Sequence, residues 1–349
     1  MDSLTQICLG AAVGEAYLGK KVGNKAILWG AILGTVPDLD VLFKPLYPFV
    51  QGLVMHRGLS HSLLFFILAS PFFGWLVNRI HPSSASTAKW AWFSFWVMFT
   101  HAILDCFTSW GTQLFWPHPY RVAWNNIFVA DFAYTLPLLV CLIWLMFKRK
   151  DSAIRARLNL IGLALSSFYM ILTFVNKGAA GSVFSKSLNE NSISYTDYST
   201  RPTPLNSILW DALVEGDEYF YTGYYSLLSD SETIQWDSIP KNHSLMSDFE
   251  KNKDWQDLKR FTAGEYAVER IENDTILIHD LRFGKMQLPD GTSDFVFTFY
   301  GIPSPDKSSI VFSQKLLPSE RLSSDEMKEM LSVLWESIKG NPLPEDFTE

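Results

Sequence analysis

Cysteine is scarce in this chain of 349 residues, and its three copies, Cys8, Cys106 and Cys141, all lie within apolar runs. A disulfide framework and a zinc site built on thiolates are therefore excluded. Positive charge is scarce as well, because the formal net charge is −7, and nothing favours a nucleic acid partner. Residues 1–10 contain Asp2 and no basic residue, so we expect no cleavable signal peptide and expect the first helix to persist.

Apolar residues are plentiful but unevenly distributed. They make up 48% of the chain, and the mean hydropathy is +0.08. The long apolar runs precede residue 177, whereas the later residues are polar, acidic and rich in turn formers. This asymmetry predicts two domains, a membrane-embedded helical bundle over residues 1–177 and a water-soluble domain over residues 178–349.

Four apolar runs approach the length of about 20 residues that a helix needs to cross the hydrocarbon core. They cover residues 59–77, 90–108, 132–147 and 158–175. Two shorter runs, 4–18 and 26–36, are rich in Gly and Ala, which allow close helix packing in lipid. We therefore predict a mainly α membrane helical bundle with about four long and two short apolar helices.

The second domain mixes strand and helix patterns. β-branched and aromatic residues concentrate at 266–271, 275–280 and 295–300, which indicates strands. Ser323 and Glu326 have the spacing of a capping box ahead of an apolar helix face. These patterns predict an α+β fold for this domain.

Basic residues distinguish the two ends of the predicted bundle. One set of connections contains ten of them: Lys20, Lys21, Lys25, Arg79, Lys89, Lys148, Arg149, Lys150, Arg155 and Arg157. The alternate connections contain three: Lys44, Arg57 and Arg121. The positive-inside rule assigns the first set to the cytoplasm, so the other helix ends and the C-terminal domain are expected to be extracytoplasmic.

Histidines and aspartates collect at the predicted outward ends. His101 and Asp105 are spaced i and i+4 within an apolar run and share one helix face. Ionisable groups at membrane depth are costly unless they face a partner, and a metal ion satisfies that need. A simple His–Asp hydrogen bond is the alternative. Imidazole with carboxylate suits Zn, Mn or Fe better than Ca or Mg.

Further ionisable residues lie at the same ends of other segments. Asp38 and Asp40 follow Pro37, where a solvated helix end is the alternative interpretation, and His56 and His61 precede an apolar run. The predicted metal ligands are Asp38, Asp40, His56, His61, His101, Asp105 and Asp131. Asp131 opens a helix, where a carboxylate is favourable in any case. Convergence from several segments is typical of a metal site in a helical bundle.

Roughly the first 230 residues resemble the YdjM-like family of bacterial inner-membrane proteins. Members of this family are described as predicted membrane-bound metal-dependent hydrolases. The resemblance is carried by these motifs: MDSLTQ (1–6), GTVPDLD (34–40), HRGLSHS (56–62), HAILDCFTSWGTQLFWP (101–117) and ADFAYTLPLL (130–139), and more loosely by RPTPLNSILW (201–210) and GYYSLL (223–228). It implies metal binding by the pairs His101 with Asp105, His56 with His61 and Asp38 with Asp40. Relatives carry His where this chain has Gln6, which puts a ligand from the first helix in doubt.

The predicted activity is hydrolysis at the membrane–water boundary. A bound Zn-like ion would supply hydroxide near neutral pH. We expect Asp40 to accept a proton and Arg57 or Arg121 to stabilise an anionic oxygen. The site favours an amphipathic, lipid-like phosphoester as substrate and the bilayer as partner. The alternative is a non-enzymatic membrane protein with a structural or transport metal site.

Overall fold

A computed structural model describes residues 1–82, 84–287, 292–315 and 323–341, and these form two compact units. The first unit comprises Met1–Leu46, Met55–Val175 and Pro204–Asn206. The second comprises Tyr47–Val54, Asn176–Thr203 and the described residues from Ser207 onward. The single domain boundary after residue 177 stays a prediction.

Helices make up the first unit. In chain order they are α1 (Ser3–Val22), α2 (Asn24–Thr35), a 3₁₀ helix (Pro37–Leu46), a 3₁₀ turn (Leu59–His61), α4 (Leu63–Ile80), α5 (Thr87–Cys106), α6 (Phe132–Met146) and the first part of α7 (Ala153–Glu190). The intervening helix α3 (Phe49–Met55) belongs to the second unit except for Met55. Side chains cap several of them, since Asp2, Ser62 and Ser86 accept hydrogen bonds from the first turns of α1, α4 and α5.

Three described segments are long and apolar enough to cross a membrane, judged by length and composition: Asn24–Leu46, Leu63–Ile80 and Ala153–Glu190. α6 is apolar but shorter. The predicted helical region with long apolar segments is therefore confirmed, whereas the predicted count of four long spans differs from the three candidates found. α5 was predicted to be one of the four long spans. Its hydropathy is lowered by Lys89, His101 and Asp105.

α1 and α2 pack closely through small residues. A Cβ atom on Gly10 would overlap the carbonyl oxygen of Gly30, and a Cβ atom on Gly30 would overlap that of Gly10. A Cβ atom on Gly34 would lie 2.8 Å from the carbonyl oxygen of Gln6. Gly23, with φ of 64°, turns the chain between the two helices, so Gly is required both at the turn and along the contact.

Two four-stranded antiparallel sheets form most of the second unit. The first contains β1 (Asp197–Pro202), β2 (Leu209–Glu215), β3 (Tyr219–Ser226) and β4 (Asp237–Pro240), and the second contains β5 (Tyr266–Arg270), β6 (Ile276–Gln287), β7 (Ser293–Pro303) and β8 (Ile310–Gln314). Each sheet is a meander with neighbours in chain order. Trp210, Phe220 and Phe299 are fully buried in the unit.

The described α-helices of the second unit are most of α3, the last part of α7 (176–190), α8 (Lys253–Phe261) and α9 (Ser324–Ile338). All three predicted strands lie within β5, β6 and β7 apart from their end residues. The capping box of Ser323 and Glu326 is present at the start of α9. A domain of two antiparallel sheets with added helices thus follows the helical region, as the patterns predicted.

Candidate metal centre

Four ionisable side chains from three segments of the first unit meet at one place. Asp38 lies in the 3₁₀ helix after α2, His61 lies in the turn before α4, and His101 and Asp105 lie in the last turns of α5. One ligand atom from each lies within 4.8 Å of the others. The i, i+4 spacing on α5 aligns two of them, and the ends of α2 and α4 bring in the other two.

The distances between these donor atoms are nearly uniform. His61 Nε2 lies 3.2 Å from Asp38 Oδ1, 3.2 Å from His101 Nε2 and 3.3 Å from Asp105 Oδ2. His101 Nε2 lies 3.6 Å from Asp38 Oδ1 and 3.4 Å from Asp105 Oδ2. A tetrahedral ion with bonds of about 2.0–2.2 Å separates its donors by about 3.3–3.6 Å. The five distances are close to five of the six edges of a metal-centred tetrahedron, and the sixth pair, Asp38 with Asp105, lies within 4.8 Å.

Both imidazole rings present Nε2 to this group because Nδ1 is held elsewhere. Nδ1 of His101 lies 2.6 Å from the carbonyl oxygen of Gly34, which can only accept. Nδ1 of His61 lies 2.9 Å from the hydroxyl of Ser60, which donates to Asp40 Oδ2 at 2.8 Å. Each ring thus carries its hydrogen on Nδ1 and keeps the Nε2 lone pair free, as in metal-binding histidines.

The two oxygens of Asp105 have different surroundings. Oδ1 accepts from the Nε2 amide of Gln6 at 3.0 Å, lies 3.3 Å from Nη2 of Arg57 and contacts the amino group of Met1. Oδ2 is buried and has no hydrogen-bond partner among the described residues. A buried carboxylate oxygen without a donor is costly, and a cation would satisfy it.

Arg57 lies beside the group in a restrained conformation. Its φ of 58° is left-handed, which is uncommon for a residue with a side chain. Nη1 donates to the hydroxyl of Thr108 at 2.8 Å, and Nε is buried without a hydrogen-bond partner in the described structure. Arg57, the side chain predicted to stabilise an anionic oxygen, thus lies next to the four donor residues.

Asp40 and His56, both predicted ligands, form a neighbouring pair outside the group of four. His56 Nδ1 lies 2.8 Å from Asp40 Oδ1. Asp40 Oδ2 accepts from the backbone N–H of Arg57 at 3.1 Å and from Ser60. Burial is the main influence that lowers the pKa of His56 from its usual value, against the opposing effect of Asp40. Because hydrogen bonds already occupy its oxygens, Asp40 contacts the group through Ser60 and His61.

Asp131 and Arg121 are engaged elsewhere. Asp131 caps α6, since its Oδ1 accepts from the N–H of Ala133 at 2.9 Å, and its Oδ2 accepts from the hydroxyl of Tyr169 at 2.7 Å. Nη2 of Arg121 donates to the carbonyl oxygen of His56 at 3.0 Å. The structure does not bring either side chain into the group of four, and their predicted roles in metal binding and catalysis stay predictions.

Gln6 was not among the predicted site residues, yet it touches the group. Its side chain is 1% exposed, and its Nε2 also lies 3.3 Å from the carbonyl oxygen of His101. The signal in the sequence is a lone amide, four residues after Asp2, at the start of a helix of small apolar residues. Such an amide needs a polar partner inside a bundle.

The helical unit, its apolar segments and the buried His–Asp group define a class, a helical membrane protein with a possible metal-binding cluster. Residues 1–180 match the family of the YdjM inner membrane protein, and the chain belongs to that family. Inner membrane protein YbcI of Escherichia coli (strain K12) is 30% identical over 142 residues, which cover 38% of this chain and 77% of YbcI. No solved structure matches the chain. The predicted family is thereby confirmed.

Proposed function

We propose that the group of Asp38, His61, His101 and Asp105 binds one divalent transition metal ion and that the protein is a metal-dependent hydrolase of the bacterial inner membrane. The single observation that carries this proposal is the set of five donor distances between 3.2 and 3.6 Å. Two carboxylates and two neutral imidazoles leave a charge of −2, which a divalent ion neutralises. Without an ion, their lone pairs face one another in a buried place.

The donor chemistry narrows the choice of ion. Two imidazole nitrogens and two carboxylate oxygens suit Zn, with Mn and Fe as alternatives, and the near-tetrahedral spacing favours Zn. The histidines of the group are buried, whereas the side chain of Asp38 is 26% exposed. Solvent or a substrate therefore reaches the group past Asp38.

Residues around the group supply the other parts of a hydrolytic site. A metal ion of this kind activates water at neutral pH. His56, paired with Asp40, is the group we assign to accept the proton, which refines the role predicted for Asp40 alone. The unpaired Nε of Arg57 is suited to an anionic oxygen. Arg121 holds the backbone of His56 and so positions the proton acceptor.

The surroundings of Asp38 favour an amphipathic substrate. Leu42, Phe43 and Leu46 on the same 3₁₀ helix are 68%, 55% and 76% exposed. Lys44 lies among them, close enough to Asp40 and Arg57 for their charges to interact. Apolar side chains with a cation beside the site suit a lipid or lipid-linked phosphoester. We place the site and the C-terminal domain on the outer face, following the ten-to-three bias of basic residues.

A second candidate function is a structural or transport metal site without catalysis. Four protein donors complete a tetrahedron, which is typical of structural zinc sites, whereas catalytic sites keep one position for water. Hydrolysis at this centre requires a fifth position or displacement of the exposed ligand Asp38.

The test is metal analysis of the full-length protein purified in detergent. We expect about one transition metal ion per chain in the wild type and none in His101→Ala or Asp105→Ala. His118→Ala is the matched control, because His118 is an exposed loop residue. Absence of stoichiometric metal from the wild type after loading would overturn the proposed centre. Bound metal without cleavage of any phosphomonoester or phosphodiester in a panel that includes phospholipids would favour the second candidate.

A further inference from the structure

A pocket of about 600 Å³ lies within the second unit, where the last part of α7 meets strand β1. One cation, Lys177, and five hydroxyl-bearing side chains line it, and none of the described residues around it is acidic. A cation with several hydroxyl groups suits an anion that accepts many hydrogen bonds, and phosphate esters have this chemistry. The pocket shares no residue with the proposed metal centre.

Helix α7 supplies the charge of the pocket. Lys177, Gly181 and Ser185 follow at intervals of four residues, so they lie along one side of the helix. Lys177 is partly buried, and its charge interacts with that of Arg201 on β1. Arg201 has a counter-charge of its own, since its Nε lies 2.8 Å from Oδ2 of Asp211. An anion in the pocket would offset the repulsion between the two cations.

Strand β1 supplies hydroxyl groups on the other side. The phenol of Tyr198 donates to the carbonyl oxygen of Gly181 over 3.5 Å, which is the long limit of a hydrogen bond. An ionised phosphate oxygen is a stronger acceptor than this carbonyl, so the phenol can turn to a ligand at little cost. Ser182 differs, because its hydroxyl donates to the carbonyl oxygen of Ala179 at 2.7 Å and has no second hydrogen to give.

Two glycines of α7 leave the pocket open. Among the described residues, a Cβ atom on Gly178 or Gly181 would meet nothing within 4 Å beyond the adjoining helix backbone. Glycine weakens the interior of a helix relative to alanine. Neither a positive φ nor a close contact requires it here, in contrast to Gly10 and Gly30. The space left by the missing side chains is part of the pocket.

The place of the pocket along α7 indicates the source of the phosphate. The apolar run of this helix ends at Val175. At a rise of about 1.5 Å per residue, Lys177 and Gly181 lie about 3 and 9 Å beyond that residue. The headgroup layer of a bilayer extends about 5–8 Å from the hydrocarbon core. The pocket therefore begins at the depth of lipid phosphates.

We infer that this pocket binds the phosphate group of an anionic membrane phospholipid. Lys177 is the charge partner of the phosphate, and the hydroxyls of Ser185 and Tyr198 donate to its oxygens. The lipid is bound and is not changed. This site is independent of the proposed metal centre, and each can be tested without the other.

The experiment measures lipid binding to the full-length protein in a neutral detergent by native mass spectrometry. Phosphatidylglycerol is the probe, and diacylglycerol, which has the same chains and no phosphate, is the matched lipid. We expect saturable binding of phosphatidylglycerol alone. Lys177→Gln should weaken it by about 10- to 100-fold, the range for a lost hydrogen bond to a charged group. Lys186→Gln is the control, because Lys186 is exposed on the same helix outside the pocket.

A second variant tests the space and keeps the charge. Gly181→Leu places a side chain in the open pocket, and we expect phosphatidylglycerol binding to fall as it does in Lys177→Gln. Ala179→Leu, at an exposed position two residues earlier, is the control for added bulk on the helix. Both pocket variants should keep the metal content of the wild type.

Three results would overturn the inference and leave the metal centre standing. The first is equal binding of phosphatidylglycerol and diacylglycerol to the wild type. The second is that Lys177→Gln and Gly181→Leu bind as their controls do. The third is that glycerol phosphate, a soluble ester, binds as tightly as phosphatidylglycerol, which would assign the pocket to a soluble ligand. Each variant must elute as a single folded species, and either pocket variant alone decides the test if the other fails.

Discussion

Two buried charged groups lie toward opposite ends of α1, and they are built differently. Glu15 and Arg155 form a two-bonded ion pair, with distances of 2.7 Å from Nε to Oε1 and 2.6 Å from Nη2 to Oε2. Nη1 of Arg155 donates further, to the amide oxygen of Asn24 at 2.7 Å and the carbonyl of Lys148 at 3.1 Å. The pair is complete, because opposite charges and hydrogen bonds within the chain satisfy it.

The group of Asp38, His61, His101 and Asp105 is incomplete by comparison. Its five short donor distances join atoms that present lone pairs to one another, and Oδ2 of Asp105 has no hydrogen-bond donor among the described residues. His61, His101 and Asp105 are as deeply buried as Glu15 and Arg155, so depth alone does not distinguish function from structure. What distinguishes them is whether the chain itself supplies the opposite charge.

The largest effect is expected from breaking the complete pair. Glu15→Gln leaves the buried guanidinium of Arg155 without its counter-charge, and we expect a loss of about 3–5 kcal/mol in the free energy of unfolding. Unfolding in detergent by denaturant titration measures it. Lys20→Met, which removes an exposed cation from the same helix, is the control. The double variant Glu15→Met with Arg155→Met should recover most of the loss, and a single variant as stable as the control would contradict this account.

Added metal should stabilise the incomplete group. At a free metal concentration 100 times the Kd, binding to the folded state alone contributes about 2.7 kcal/mol. We expect this gain in the wild type and in Glu15→Gln but not in His101→Ala, measured as the shift in unfolding with and without Zn²⁺. An equal gain in His101→Ala would mean that the ion binds elsewhere, and the contrast between the two groups would then fail.

Asp40 tests how far the metal group extends. Asp40→Asn weakens the hydrogen bond through Ser60 that holds His61, and we expect a loss of about 10- to 100-fold in metal affinity. Chelator competition measures it, with the exposed Asp151→Asn as control. Complete loss of metal binding would instead assign Asp40 as a ligand. An unchanged affinity would mean that the contacts from Asp40 through Ser60 to His61 do not support metal binding.

The smallest effect concerns Asp131. Asp131→Ala removes the cap of α6 and the bond from Tyr169, so we expect about 1 kcal/mol lower stability and unchanged metal affinity. Denaturant titration and chelator competition on the same sample give both values. A fall in metal affinity as large as that in Asp40→Asn would instead support the ligand role predicted from the sequence.

The donor group illustrates what can be predicted from sequence. All four of its members are among the seven predicted ligands, because ionisable residues beside apolar runs need a partner. The sequence alone could not rank Asp38 above Asp40. That difference depends on whether hydrogen bonds already occupy the carboxylate, and the N–H of Arg57 and the hydroxyl of Ser60 are brought to Asp40 only by folding.

The length of a helix and the distant partner of a buried charge could not be predicted from the sequence. α7 was predicted only over 158–175, since its later turns are polar and periodic hydropathy ends there, yet the helix continues to Glu190. Arg155 was counted as a cytoplasmic loop charge, but its side chain is 2% exposed and is paired with Glu15, which is 140 residues away in the sequence. Such a partner is not visible in local patterns.

The close contact of α1 with α2 gives three glycines influence over chemistry that they do not perform. The carbonyl of Gly34 orients His101, and Gly10 and Gly30 set how near α1, with Gln6, comes to that carbonyl. An alanine at any of these places would move the helices apart and tilt the imidazole, although every donor atom would remain. A random-mutagenesis screen for lost metal binding should therefore recover substitutions at these three glycines as well as at the histidines and aspartates.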